Sequence, residues 1–293
     1  MKKIIATFIS AACLVMSCTP QETNDIFDVP QEGYTLFEAD FEDLVIAGTS
    51  AEMIWEKGIG IGVYGSSEGN NVRYILKNAS DGKAVGEYYG PEVSGESISA
   101  YYPYSEDYAL FDGKMMYSLS NQQVFDGQTT VLEQFIRYAG CAYAFREDGN
   151  RLNFRYASGV MSVEVRLSKS EAVRSISLVS SAPLAGTGKV DSDMTVTLSE
   201  SASKSIVLDC AEGVVSKEGD VHTKFPIVMP AGTYSDVSIV LTLADGTSIV
   251  SEIGTVEIER VTASGQEVKE MIISTGGLGG FEVEGGLEFE PQS

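Results

Sequence analysis

The chain has 293 residues, with 20 lysines and arginines against 42 aspartates and glutamates and a formal net charge of −22. So acidic a surface repels phosphate backbones, which excludes nucleic acid as a partner, and a single histidine, His222, excludes a histidine-rich zinc site or a catalytic relay that needs two. Hydrophobic residues make up 43% of the chain, enough for a sizeable core in one large sandwich or two ordinary domains.

The N-terminus reads MKKIIATFISAACLVMSC: Lys2 and Lys3, then about a dozen mostly apolar residues, too few to span a bilayer as a mature helix. Residues 1–17 read as a signal peptide. Its end, LVMSC, resembles the lipobox of bacterial lipoproteins, with branched Leu14 and Val15, small Ser17 and then Cys18. The resemblance implies that Ser17 is the last residue removed and that Cys18, acylated with palmitate, becomes the mature N-terminus. Cys13 is a rival, but Ser10 stands three places upstream of it where an aliphatic residue is expected. Losing Lys2 and Lys3 with the leader takes the net charge from −22 to −24. No later stretch approaches the ~18 apolar residues of a spanning helix, so the expected anchor is a lipid. Of the other cysteines, Cys141 and Cys210 are open to a disulfide in an exported chain, but their apolar surroundings favour two buried thiols.

Residues 18–33 are polar, acidic and proline-marked, as a tether would be. From Tyr34 the pattern changes to period-two alternation, as in TLFEADFE (Phe37, Ala39, Phe41), LNFRY, MSVEVRL, MTVTL, VSIVLTL and TVEIERV. Asp-Gly pairs at 81, 112, 126, 148 and 245 punctuate these runs and predict tight hairpins, because a type I′ turn needs positive φ at both central residues. None continues into an EF-hand ligand set. Helical periodicity is scarce. TTVLEQFIRYAG (129–140) is the best candidate, with Val131, Phe135 and Ile136 on one face, and a strand is the alternative. The chain is therefore expected to be all-β and mostly antiparallel, with a boundary near 136 between a first body (34–136) and a second (137–275).

No GxSxG, HExxH or phosphate-loop signature occurs, and the glycines of GIGIGVYG (58–65) alternate with Ile59, Ile61 and Val63 as in a strand. No catalytic residue, cofactor or metal site is expected. The sharpest cluster is aromatic: Tyr88, Tyr89, Tyr101, Tyr102, Tyr104 and Tyr108 crowd around proline turns. Trp55 with Tyr101, Tyr102 and Tyr104 is a candidate stacking platform for sugars. The alternative is that these rings cover a sheet edge.

IWEKGIGIGVYG (54–65), followed by ISAYYPYSE (98–106) and then FPIVMPAGTYSDVSIVLTLADG (225–246), resembles the fimbrillin-like lipoproteins of Gram-negative anaerobes. The likeness runs through most of residues 34–275. It implies two transthyretin-like antiparallel β-sandwiches in tandem, and a fimbrial subunit, adhesin or anchor that assembles by strand exchange. The implied partners are other fimbrial subunits or further copies of this chain, the outer membrane through the lipid, and host or bacterial surface ligands. Two departures stand out. Ile59 occupies the place of a usual Asp, and no arginine lies between Cys18 and Val72, although stalk subunits of this kind are usually cut after one. A glycan-binding surface lipoprotein without catalysis is the alternative function.

The tail, 276–293, joins a glycine-rich lead to FEVEGGLEFE, where Phe281, Val283, Leu287 and Phe289 alternate with glutamates. That pattern suits a donor strand for another subunit's groove, a hairpin on its own domain, or an acidic tail.

Overall fold

The computed structural model describes residues 32–275 apart from 68, 147–148, 168–170, 217–222 and 266–267. Strands come first in an N-terminal series: β1 (Tyr34–Phe41), β2 (Leu44–Ile46), β3 (Thr49–Ala51), β4 (Ile61–Gly65), β5 (Val72–Leu76), β6 (Val85–Pro91) and β7 (Ile98–Tyr102). β8 (Met115–Leu119) and β9 (Gln122–Val124) precede the helix α1 (Val131–Tyr138), and β10 (Ala142–Phe145), β11 (Arg151–Tyr156) and β12 (Ser158–Leu167) follow it. The remainder is β13 (Glu171–Val179), β14 (Gly186–Val190), β15 (Val196–Leu198), β16 (Ser205–Ser216), β17 (Thr223–Pro230), β18 (Gly232–Leu243), β19 (Ser248–Ile258) and β20 (Lys269–Thr275). The all-β expectation is borne out.

Seven strands close into a barrel in the order β1, β11, β10, β7, β4, β5, β6. β1 runs antiparallel to β6 and parallel to β11, and its inward residues Phe37 and Ala39 are fully buried. The C-terminal strands form a three-stranded sheet, β17-β12-β20, and a five-stranded one, β19-β18-β13-β16-β9, with buried rows such as Met161, Val163 and Val165 of β12 and Ile176, Leu178, Ile206 and Leu208 of β13 and β16. A third small sheet, β15-β14-β8, and the β2-β3 hairpin complete the set.

The expected boundary near 136 does not hold. β10 and β11, beyond it, pair with β7 and β1 in the barrel, whereas β8 and β9, before it, pair with β14 and β16 of the second body. The two sets of strands interleave between residues 115 and 156, because periodicity marks a strand but not its partner. Behind β19, Arg260 ties the bodies together: its guanidinium meets Glu42 of the β1–β2 turn at 2.5 Å and donates to the Val261 carbonyl at 3.2 Å. Beside it, Val45 N–H donates to Thr262 and Val261 N–H to Ser158.

The Asp-Gly pairs have different outcomes. Asp112 and Gly113 have φ of 51° and 68° and join Phe111 to Lys114 by reciprocal backbone bonds, as a type I′ turn requires. Asp245-Gly246 connects β18 to β19, but only Gly246 has positive φ there, so the turn is of the type I plus glycine-bulge kind. β10 and β11 pair antiparallel on either side of Gly149, while Asp148 lies outside the described residues. Gly82 turns the chain between β5 and β6, its N–H donating to the Trp55 carbonyl.

Asp126-Gly127 is no hairpin; it leads into α1. The Asp126 carboxylate accepts from the Gln128 and Thr129 N–H groups at 2.9 and 2.8 Å, which hold its pKa down at about 2. Thr130 and Glu133 then form a capping box, so the ambiguous segment is a helix. Its buried residues are Leu132, Gln134, Phe135 and Tyr138, while Val131 and Ile136 are only half-buried. The Thr-x-x-Glu spacing carried this signal in the sequence.

One buried side chain joins the two C-terminal sheets. Gln123 of β9 donates from Nε2 to the Val228 carbonyl at 2.6 Å and accepts the Val228 N–H at 3.0 Å, completing the edge of β17 as a strand would. Gln123→Ala leaves both Val228 groups buried without partners, a cost of about 3 kcal/mol. Urea unfolding should show a midpoint lowered accordingly with an unchanged slope, whereas a wild-type midpoint would mean that β17 finds other partners.

Candidate functional site

The aromatic residues are placed by the barrel. Trp55, which follows β3, is fully buried, and its Nε1–H donates to the Ala39 carbonyl of β1 at 3.0 Å. Phe41 stacks on it at 4.2 Å between centroids, and Tyr88, Tyr102 and Phe154 meet it edge-on at 5.1 to 5.5 Å. Tyr101 is fully buried, stacked on Tyr108 at 3.6 Å, and its hydroxyl accepts the Ser105 N–H and donates to the nearer of two acceptors, the Ser105 carbonyl at 2.8 Å, with Asn71 Oδ1 at 3.1 Å. Tyr102 is 2% exposed. Tyr104 is half-buried, with Tyr101 stacked at 6.5 Å and the Arg73 guanidinium 5.5 Å above its ring.

The sugar-stacking platform is thereby corrected: three of its four rings are core. Alternation on β7 could not reveal this, since its Ala100, Tyr101 and Tyr102 are all buried in a closed sheet. Burial pushes the Tyr64 and Tyr74 hydroxyls up to about 12, and Tyr88, Tyr102 and Tyr156 further, so these groups stay protonated. Burial, with Asp209 beside it, also raises the Cys210 thiol to about 12, and no disulfide joins Cys210 to Cys141. A cleft of about 340 Å³ between β8, β14 and the 199–203 turn is lined by Ser120, Asn121, Thr187, Ser199 and Ser203 and has no aromatic wall. Among the described residues no cluster of three or more His, Cys, Asp or Glu is placed to hold a metal.

Where the C-terminal sandwich meets its surroundings, its two sides differ. On one side α1 closes the strand edges: the Val124 N–H of β9 donates to the Tyr138 hydroxyl at 2.7 Å, and Gln134 Nε2 donates to the Val124 carbonyl at 3.2 Å. Gln123 closes β17 in the same way. On the other side β19 pairs with β18 alone and β20 with β12 alone, and these two strands lie against each other. Two outer edges, 11 and 7 residues long, therefore have no strand partner among the described residues. An open edge of this kind accepts an added strand through its own N–H and C=O groups. Glu252 and Glu257, exposed on β19, and the positive-φ Gly254 between them are features that oppose indiscriminate pairing. The tail starts where β20 ends, at Thr275. Ser17, Cys18, Phe281, Val283, Leu287 and Phe289 lie outside the described residues.

No protein-family model and no curated protein sequence matches the chain. Solved structures do. A candidate cell adhesion protein from Bacteroides ovatus superposes with a TM-score of 0.54 at 12% identity, over 85% of this chain and 95% of that one. A candidate cell adhesion protein from Bacteroides uniformis gives 0.43 at 16% identity, over 87% and 97%. The tip fimbrial protein Mfa3 from Porphyromonas gingivalis gives 0.40 at 10% identity, over 85% and 98%. The first of these establishes a shared fold. By their descriptions these structures are adhesion and fimbrial proteins, not enzymes.

The glycines of the first body are fitted to its rings. A Cβ at Gly62 would stand 1.9 Å from Tyr101 Cε1, inside the ring's van der Waals surface. Gly62→Ala is expected to destabilise the chain by about 3 kcal/mol or more through this overlap. A thermal scan tests it: a wild-type midpoint would show that Tyr101 does not pack against β4 as described.

Proposed function

We propose that this chain is a surface lipoprotein that serves as a fimbrial subunit or fimbria-associated adhesin or anchor, without catalysis. The observation that carries the reading is the asymmetry of the C-terminal sandwich. One side is sealed by α1 and Gln123, while among the described residues β19 and β20 leave two strand edges open beside Thr275, where the tail begins. The shared fold with a candidate adhesion protein supports it. Assembly would proceed by strand addition, with main-chain hydrogen bonds giving strength and alternating side chains setting register. Phe281, Val283, Leu287 and Phe289 of the tail are the proposed donor side chains. Two transthyretin-like bodies in tandem are the corresponding finer description of the fold.

The first strand has a bearing on maturation. β1 is held on both edges and takes the Trp55 hydrogen bond, so its removal would open the barrel at its aromatic centre. With no arginine from Cys18 to Val72, the subunit is proposed to keep this strand and its lipid, as suits a place at the base of an assembly. The outer membrane, through acylated Cys18, and other fimbrial subunits are the proposed partners.

Cys18→Ala should abolish incorporation of labelled palmitate and release the protein from membranes. Label retained by Cys18→Ala and lost by Cys13→Ala would transfer the anchor to Cys13.

Deleting 276–293 tests strand donation separately. The truncated chain should fold and carry lipid normally but disappear from the filament fraction sheared off cells. Undiminished association with filaments would rule out donation by the tail, and a large loss of thermal stability would assign the tail to its own domain.

A further inference from the structure

The edge of β17 that faces away from β12 is short of hydrogen-bond donors, and its sequence is the cause. β17 pairs antiparallel with β12 without a break in register, from Ser158 opposite Pro230 to Val165 opposite Thr223. In such a ladder the N–H and C=O of one residue turn toward the partner strand and those of the next turn away. Val228 fixes the phase, because both of its backbone groups bond to the Gln123 side chain and not to β12. Lys224, Pro226 and Pro230 share its outward phase, while Phe225, Ile227 and Met229 turn their backbone groups toward β12. Two of these four outward positions are prolines, which have no N–H to offer. Between Pro226 and Pro230 the one outward donor left is that of Val228, and Gln123 occupies it at 3.0 Å. The Pro230 carbonyl is taken as well, by the Tyr234 hydroxyl at 2.8 Å.

Proline is otherwise kept out of strand interiors. Of the eight in the chain, Pro91 ends β6, Pro230 ends β17, and Pro226 alone stands inside a described strand. Neither β19 nor β20 contains one, so along both of them alternate residues keep an N–H to turn outward. Pro226 and Pro230 are buried, and α1 lies against the strand that carries them. A helix bonds its own backbone internally and offers a sheet edge no ladder, so an N–H at either position would be buried without a partner. Proline removes that cost. It also has a second consequence, since even with α1 moved aside the edge lacks the donors that an added strand needs.

We infer that Pro226 and Pro230 restrict strand addition to the β19 and β20 side, so that each copy accepts strands from one side only. The inference rests on the reading that the chain assembles by strand addition, and it specifies the form of that assembly: an unbranched file in which no second strand enters beside α1. The helix alone is a weaker barrier. It is eight residues long, too short to be stable by itself, and a strand that gained a full ladder could displace it. No displacement restores a missing N–H.

The full chain carrying Pro226→Val and Pro230→Val tests this. Valine is a strand former, and the exchange restores both N–H groups. Those groups are unsatisfied beneath α1 and satisfied by a strand from another copy. The variant should therefore self-associate at concentrations about tenfold or more below those of the wild-type chain, followed by sedimentation of the detergent-solubilised protein. Amide exchange should show α1 opening faster and residues 223–230 becoming more protected as concentration rises. Faster exchange of α1 with wild-type association would mean that the prolines only seat the helix, and it overturns the inference. Association that leaves residues 223–230 no better protected overturns it too. Should the double variant fail to fold, Pro226→Val alone is read in the same way. Strand donation by the tail can fail separately, because deleting 276–293 removes the proposed donor and leaves the edge of β17 as it is.

Discussion

Every strand at the edge of a sheet carries a row of N–H and C=O groups that need partners, and the architecture of this chain follows from how each edge is satisfied. In the first body the answer is closure: β11 pairs with both β1 and β10, and β5 with both β4 and β6, so the barrel has no edge. In the second body closure fails. One side is completed by side chains, with Gln123 imitating a strand toward Val228 and Tyr138 and Gln134 of α1 satisfying Val124. On the opposite side, β19 and β20 have no further strand partner among the described residues.

The tyrosine-rich stretch illustrates a second constraint, the fit between ring and glycine. Cβ atoms at Gly62, Gly86 and Gly90 would approach Tyr101, Trp55 and Tyr74 to within 1.9, 2.7 and 2.7 Å. Each glycine removes a side chain from one strand so that a ring on a neighbouring element can lie across it. The barrel thus trades local strand propensity for aromatic packing, with Trp55, Tyr74 and Tyr101 each burying a large apolar surface while the indole N–H or hydroxyl finds a backbone partner. Trp55 shows both halves, packed on Phe41 and bonded to Ala39.

The two bodies are joined through β-structure rather than through a flexible linker. Because β8 and β9 leave the first half of the chain to complete sheets of the second, and β10 and β11 return to the barrel, tension on one body is carried to the other through paired strands and through the Arg260–Glu42 contact.

Local chemistry written in the sequence determined much of this protein: the all-β class from alternation, the type I′ turn at Asp112-Gly113 from a dipeptide that tolerates positive φ, and the helix at Val131–Tyr138 from the Thr130-Glu133 capping spacing. These depend on neighbours a few residues apart, and so they are legible in a single chain. The Tyr101 and Tyr102 rings turned inward because the sheet around them closes on itself, which no pattern within β7 records. Gln123 found Val228 across 105 positions of sequence, and β9 left its own half for β16. Those choices belong to the tertiary structure alone, because a polar side chain or a strand edge is satisfied by whatever the packed core brings within hydrogen-bond reach, and that distance is set only once the sheets are in place.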